Sequence, residues 1–151
     1  MTHRDRLRAL IRLPWIITRL WRALDAWGDS DWALMVSLLQ PIAEKNLDTD
    51  TDQVLLGLAH TRLAQFDQAI WYFEQVTGKR LLQRERIIYC NTYAYALHRC
   101  GQLAKAKAHV QKFSRIDWPP AQRDWADALL QTPIPPAELS EDVVGPPRIF
   151  H

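Results

Sequence analysis

Residues 53–76 read QVLLGLAHTRLAQFDQAIWYFEQV. Leu55, Leu56, Ala59 and Leu63 fall at the three-and-four spacing of an amphipathic helix. After Ala64–Gln65 the spacing starts again at Phe66, Ala69, Ile70, Phe73 and Val76, and Gly78 marks a stop. Two helices joined by so short a turn lie antiparallel, so this stretch predicts a helical hairpin.

The same plan returns at residues 86–113. Ile87, Cys90, Tyr93, Ala94 and Leu97 mark one face, Gly101–Gln102 makes the turn, and Leu103, Ala106, Val110 and Phe113 mark the next face. Ala69 and Ala106 hold matching places 37 residues apart. Upstream, the run Trp27–Gly28–Asp29–Ser30–Asp31–Trp32–Ala33 reads as the turn of another hairpin, with Ala33 36 residues before Ala69. Helix–turn–helix units at a period in the mid-thirties are a solenoid signature. The predicted layout is one helical domain over residues 1–131. It comprises a basic segment at 1–14, hairpins at about 15–45, 50–78 and 84–114, and a capping helix at about 119–131. Asp117 and Pro119–Pro120 start that last helix, with Ala121, Trp125, Ala128 and Leu129 on its inner face and Gln122, Arg123, Asp124 and Asp127 outside. Five of the nine prolines follow Thr132, which predicts an extended tail over 132–151.

Leu56–Gly57–x–Ala59 followed by Phe66–Asp67–x–Ala69–Ile70–x–x–Phe73 resembles the tetratricopeptide (TPR) repeat. The second copy matches at Ala94, Ala96, Gly101 and Ala106. In the first copy Gly28 and Ala33 fit, and Trp21 stands where a small residue is expected. The resemblance covers roughly residues 15–118. It implies an all-α, right-handed TPR-like solenoid of about three hairpins, with Gly57 and Ala69 small because they lie where helices cross.

Charge is unevenly placed. Residues 1–22 hold six arginines against one acid, Asp5, a net of +5, and the remaining 129 residues hold 13 basic and 16 acidic side chains, a net of −3. A cationic head on a mildly anionic body is not the global excess of a nucleic-acid binder. The apolar run Leu13 to Thr18 is six residues long and bracketed by Arg12 and Arg19, too short for a secretion signal. Nothing approaches the 18 apolar residues of a membrane span, and two cysteines make no disulfide framework. A cytoplasmic protein is expected, with peripheral membrane contact through its head as the alternative.

No reaction is written in the motifs. There is no nucleophile elbow, phosphate loop or dinucleotide fingerprint, and no enzyme, metal or cofactor is expected. Asp48, Asp50 and Asp52 stand at positions 1, 3 and 5 of a would-be calcium loop, but Gln53 and Ala59 occupy the places of its Gly and bidentate Glu. These acids are expected to cap the following helix. His60 reads as a structural histidine where the family has Tyr, and Cys90 as core filler.

The predicted function is therefore a surface. In TPR arrays the first helix of each hairpin lines a concave face. Carried over by pattern, that face takes Thr18 and Arg22, then Val54, Leu58 and Arg62, then Asn91, Tyr95 and Arg99, each an i, i+4 row on one helix. Arginines there suit a carboxylate, so the expected partner is an acidic peptide or helix of another protein. Chaperone-tail clamps of the family use Lys and Asn where this chain has Thr18, Arg22 and Val54, so that ligand is not expected. The reading is a non-enzymatic adaptor. Its alternatives are a membrane-surface assembly factor using Arg4, Arg8, Arg12 and Trp15 of the head, and a dedicated secretion chaperone. Oligomeric state is not readable from these residues.

Overall fold

The computed structural model describes residues 3–45, 50–78 and 81–135, with side chains from residue 14 onward. Within these the chain is all-α. The helices are α1 (His3–Gly28), α2 (Trp32–Glu44), α3 (Asp50–Arg62), α4 (Phe66–Glu74), α5 (Gln83–Arg99), α6 (Leu103–Gln111) and α7 (Pro120–Gln131). Packing is mainly sequential: α1 on α2, α2 on α3, α3 on α4, α4 on α5, α5 on α6 and α6 on α7, with α3 also on α5. That is the arrangement of a helical solenoid in general.

Three hairpins share one turn chemistry. Ser30, Ala64 and Gly101 each adopt a left-handed backbone, with φ of 55°, 58° and 74°. At each turn two amides reach back to close the first helix. Ser30 and Asp31 donate to the carbonyls of Trp27 and Ala26, Ala64 and Gln65 to those of Thr61 and His60, and Gly101 and Gln102 to those of His98 and Leu97. This is the Schellman closure, which satisfies carbonyls a helix end leaves unpaired. The following residue then starts the return helix. Asp31 does so with its side chain as well, accepting from the Leu34 amide at 3.1 Å.

These turns fix the register of the repeat, and they correct the one read from sequence. Superposing Ser30 on Ala64 pairs Ala69 with Met35, not with Ala33, which is exposed. The small residue of the first copy is then Ala23 rather than Trp21. Ala23, Gly57 and Ala94 form one buried set; Met35, Ala69 and Ala106 form a second; Leu39, Phe73 and Val110 form a third. Matching small residue to small residue had favoured Ala33. The backbone instead aligns the turns, and Met35 fills the place that Ala69 holds in the next hairpin.

Other boundaries also move. Pro14 does not interrupt α1, which runs on from the basic segment into the first hairpin. Leu63 lies outside α3 and is exposed, because the left-handed turn begins beside it. Asp50 does not cap its own helix. Its carboxylate accepts from the amides of Thr77 and Gly78 and the Thr77 hydroxyl at 2.8–3.0 Å, tying the start of α3 to the end of α4. Asp48 lies outside the described residues, as does most of the tail. On α7 the inner face is Ala126 and Leu129 with half-buried Trp125 and Leu130, while Ala121 and Ala128 are exposed. Buried Trp118 and the Arg123 hydrogen bonds to the carbonyls of Ile116 and Trp118 set that rotation.

Most of the buried apolar residues fall in two clusters. One joins Ala23 and Ala26 of α1 and Met35, Leu38, Leu39 and Ile42 of α2 to Leu55, Leu56 and Ala59 of α3. The other runs from Ala69, Ile70 and Phe73 of α4 through α5 and α6 to Ala126 and Leu129 of α7.

Candidate functional site

The row of first helices carries two adjoining cavities, of about 420 and about 500 Å³. They share Arg62 of α3, Asn91 and Thr92 of α5 and Gln122 of α7, so they form one groove. Toward α1 it is walled by Trp27, Leu58, Arg84 and Ile88, and toward α7 by Phe66, Tyr95, Arg99 and Trp125.

Each arginine of the groove lies over an aromatic ring. The guanidinium of Arg84 is 4.1 Å from the Trp27 centroid, that of Arg99 5.3 Å from Phe66, and that of Arg62 5.7 Å from Trp32. A guanidinium over an aromatic ring gains cation–π attraction and can still offer N–H groups for hydrogen bonding. Among the described residues none of the three is in a salt bridge; the ion pair found is Arg115 with Asp127 at 3.3 Å. Asp117 is the acid on the groove lining. The rings of Phe66, Tyr95 and Trp125 touch in series, with centroids 6.1 and 6.0 Å apart. The Thr92 hydroxyl donates to the Asn91 amide oxygen at 2.9 Å, so the Asn91 amide nitrogen keeps its donors.

Of the residues picked from sequence, the fold brings Leu58, Arg62, Asn91, Tyr95 and Arg99 to this groove. Val54 is fully buried and lines neither cavity. Arg22 is exposed on α1 and lines neither cavity; the turn-based register puts Leu20 and Leu24 in the row where Thr18 and Arg22 were expected. The groove also takes Arg84 and Trp27, which the sequence reading does not assign to it. Arg84 was legible, since the α5 row Arg99, Tyr95, Asn91 continues backwards through Ile88 to it. Trp27 and Trp125 arrive from α1 and α7, and no periodicity within one helix announces that.

The head has a different setting. Trp15 is half-buried against the first core, between the cations of Arg19 at 4.7 Å and Lys45 at 4.2 Å. The side chains of Arg4, Arg8 and Arg12 lie outside the described residues.

A third cavity, about 350 Å³, opens among Phe73, Tyr89, Tyr93, Lys105, His109 and Lys112. Burial pushes the Tyr93 phenol up to about 12. It pushes His109 down to about 4; Lys112 adds to that, and a hydrogen bond to the Tyr89 carbonyl opposes it. Cys90, fully buried nearby, is pushed up to about 12 by burial, so it stays a thiol and packs as core. His60 is also structural: Nδ1 is 2.7 Å from the Gln65 side-chain oxygen, and the ring stacks on Tyr72 at 5.3 Å. Among the described residues no group of three His, Cys, Asp or Glu is placed to hold a metal ion. No described helix is long and apolar enough to cross a membrane.

No family model, no curated protein and no solved structure matches this chain.

Proposed function

We propose that the protein is a TPR-like adaptor that holds an acidic segment of a partner protein in the groove between α3, α5 and α7. One observation carries this reading: Arg62, Arg84 and Arg99 are stacked on aromatic rings and have no salt-bridge partner among the described residues. Contact with a ring narrows the rotamers each side chain samples before a ligand arrives, so less freedom is lost on binding. A carboxylate meeting such a fork gains two parallel hydrogen bonds as well as charge attraction. Phe66, Tyr95 and Trp125 supply apolar contact beside those charges, as interface anchors do. The resemblance of the Leu56–Phe73 hairpin to the TPR pattern supports the same reading, since arrays of that family recognise peptides.

The test is fluorescence anisotropy with labelled peptides that alternate Glu or Asp with Leu or Phe, beside a control in which Lys replaces the acids. The acidic peptide binds and the basic control does not, and affinity falls as salt is added. Arg62→Glu combined with Arg99→Glu abolishes binding while circular dichroism stays helical. Equal binding of acidic and basic peptides, or binding that survives the double reversal at low salt, refutes the groove.

A further inference from the structure

Arg62, Arg84 and Arg99 bring three cations to the groove, and Asp117 is the acid on its lining. In sequence the chain carries a complement of the same size. Glu138, Glu141 and Asp142 fall within five residues, and no lysine or arginine stands between Arg123 and Arg148. Leu139 lies among those acids, with Val143 and Val144 following. This is the chemistry that the groove suits in a partner, acids beside apolar side chains. The segment itself lies outside the described residues, but the place from which the chain leads into it does not.

α7 runs beside α5 in the same sense. Asp117 and Pro119, ahead of α7, line the Arg84 end of the groove, and Trp125 lines the Arg99 end. The Trp125 ring lies 6.0 Å from that of Tyr95 and 6.3 Å from that of His98. The helix stops at Gln131, and Thr132 turns to extended backbone with ψ of 128°. The Lys107 ammonium of α6 donates to the Thr132 carbonyl and holds it there. At 1.5 Å per helical residue, Thr132 stands about 10 Å past Trp125, and Arg99 about 6 Å past Tyr95. The chain therefore leaves the array close to the level of Arg99.

Reach is sufficient. An extended chain covers about 3.3 Å per residue, so Glu138 comes within about 20 Å of Thr132 and Asp142 within about 33 Å. Arg84 and Arg99 are about 22 Å apart along α5. Pro133, Pro135 and Pro136 oppose any continuation of α7 that would carry the acids away from the groove.

We propose that the segment Glu138–Asp142 is the groove's resident occupant, folded back onto its own chain. Entering at the Arg99 end and running against α5, it sets Glu138 at Arg99, Leu139 beside Tyr95 and Trp125, and Glu141 and Asp142 at Arg62. The inference rests on the groove reading given above and adds that a partner's acidic segment has to displace this one. A tethered segment acts at about millimolar effective concentration. A groove affinity of about 0.1 mM for it then raises the apparent dissociation constant of a competing peptide about tenfold.

Two measurements on the full chain test this. In anisotropy titrations at low salt, Glu138→Gln, Glu141→Gln and Asp142→Asn together tighten binding of the labelled acidic peptide about tenfold. Equal affinity of this variant and the unaltered chain overturns the proposal and leaves the groove reading standing. The second measurement needs no peptide. Ser140 is replaced by the photocrosslinker benzoylphenylalanine, and the products are mapped by mass spectrometry. Crosslinks form within one chain to α3 or α5, Arg62→Glu with Arg99→Glu removes them, and adding Glu138→Arg with Glu141→Arg brings them back. Crosslinks elsewhere, crosslinks only between two chains, or crosslinks that survive the reversal overturn the proposal. Groove crosslinks together with no peptide binding by the neutral-tail variant uphold the tail contact and refute the partner reading instead.

Discussion

Gly57 of α3 lies against the ring of Phe73 of α4, so close that a Cβ on residue 57 would sit 2.5 Å from the ring's outermost carbon. Phe73 cannot give way. It is fully buried and its ring stacks on Tyr93 with centroids 5.2 Å apart. The smallest residue of α3 and the largest side chain buried in α4 are thus one fitted pair. In the turn-based register the corresponding pairs are Ala23 with Leu39 and Ala94 with Val110, and each pair lies in one buried cluster.

Gly57→Ala is expected to destabilise the protein by about 1–3 kcal/mol through overpacking, although alanine is the better helix former. Urea unfolding followed by circular dichroism measures it. Pairing Gly57→Ala with Phe73→Leu, which borrows the solution of the first hairpin, recovers part of the loss.

Ala64 holds a left-handed backbone that costs a residue with a Cβ roughly 1–2 kcal/mol. Gly101 holds the same place in the next hairpin without that strain. Ala64→Gly is expected to stabilise the fold by about 0.5–1 kcal/mol, once the extra freedom of glycine in the unfolded chain is subtracted. The same exchange at Ser30 has the same sign. The midpoint of thermal unfolding reads both.

His109 is buried with Nε2 3.2 Å from the Tyr89 carbonyl oxygen, so the neutral ring donates there. Its folded pKa of about 4 lies below the ordinary 6.5. Between those values the unfolded chain takes up a proton that the folded chain refuses. The stability that depends on neutral His109 is complete above pH 6.5, falls as pH drops towards about 4, and changes no further below that. The loss amounts to at most about 3 kcal/mol. Urea midpoints measured from pH 7 to pH 4 show this slope, and His109→Phe flattens it.

Arg99→Lys keeps the charge at the groove but removes the flat guanidinium over Phe66 and its two-pronged grip. Affinity for the acidic peptide is expected to fall roughly five- to thirtyfold, or about 1–2 kcal/mol, with little change in its dependence on salt. Anisotropy titration at two salt concentrations separates this from the charge reversal, which removes the attraction itself.

The hairpin at residues 53–76 was legible because its apolar spacing, short turn and small residues agree with one another. The first hairpin was legible only as a hairpin. Its register hangs on Ser30 taking a left-handed backbone, and serine gives no such warning where glycine at 101 does. The sequence layout divides at residue 14, yet α1 runs through Pro14. Half of the groove followed from rows on α3 and α5. The rest depends on where α1 and α7 deliver Trp27 and Trp125, a matter of long-range packing that no local pattern encodes. Val54 shows the reverse case: its row reaches the groove at Leu58 and Arg62, but α3 is covered by α2, α4 and α5 and is buried all round at residues 54–61.

The boundary between the two buried clusters does not fall between hairpins. It passes through the most regular one, since Leu55, Leu56 and Ala59 of α3 belong with α1 and α2, while Ala69, Ile70 and Phe73 of α4 belong with the helices that follow. The two apolar clusters are therefore out of phase with the hairpins, although α3 and α4 pack closely on each other. Native-state hydrogen exchange should report two blocks of amides with separate opening free energies, meeting at Ala64. Severing the backbone at that turn should give two fragments that recognise each other again, with the Gly57–Phe73 contact as the seam along which they rejoin.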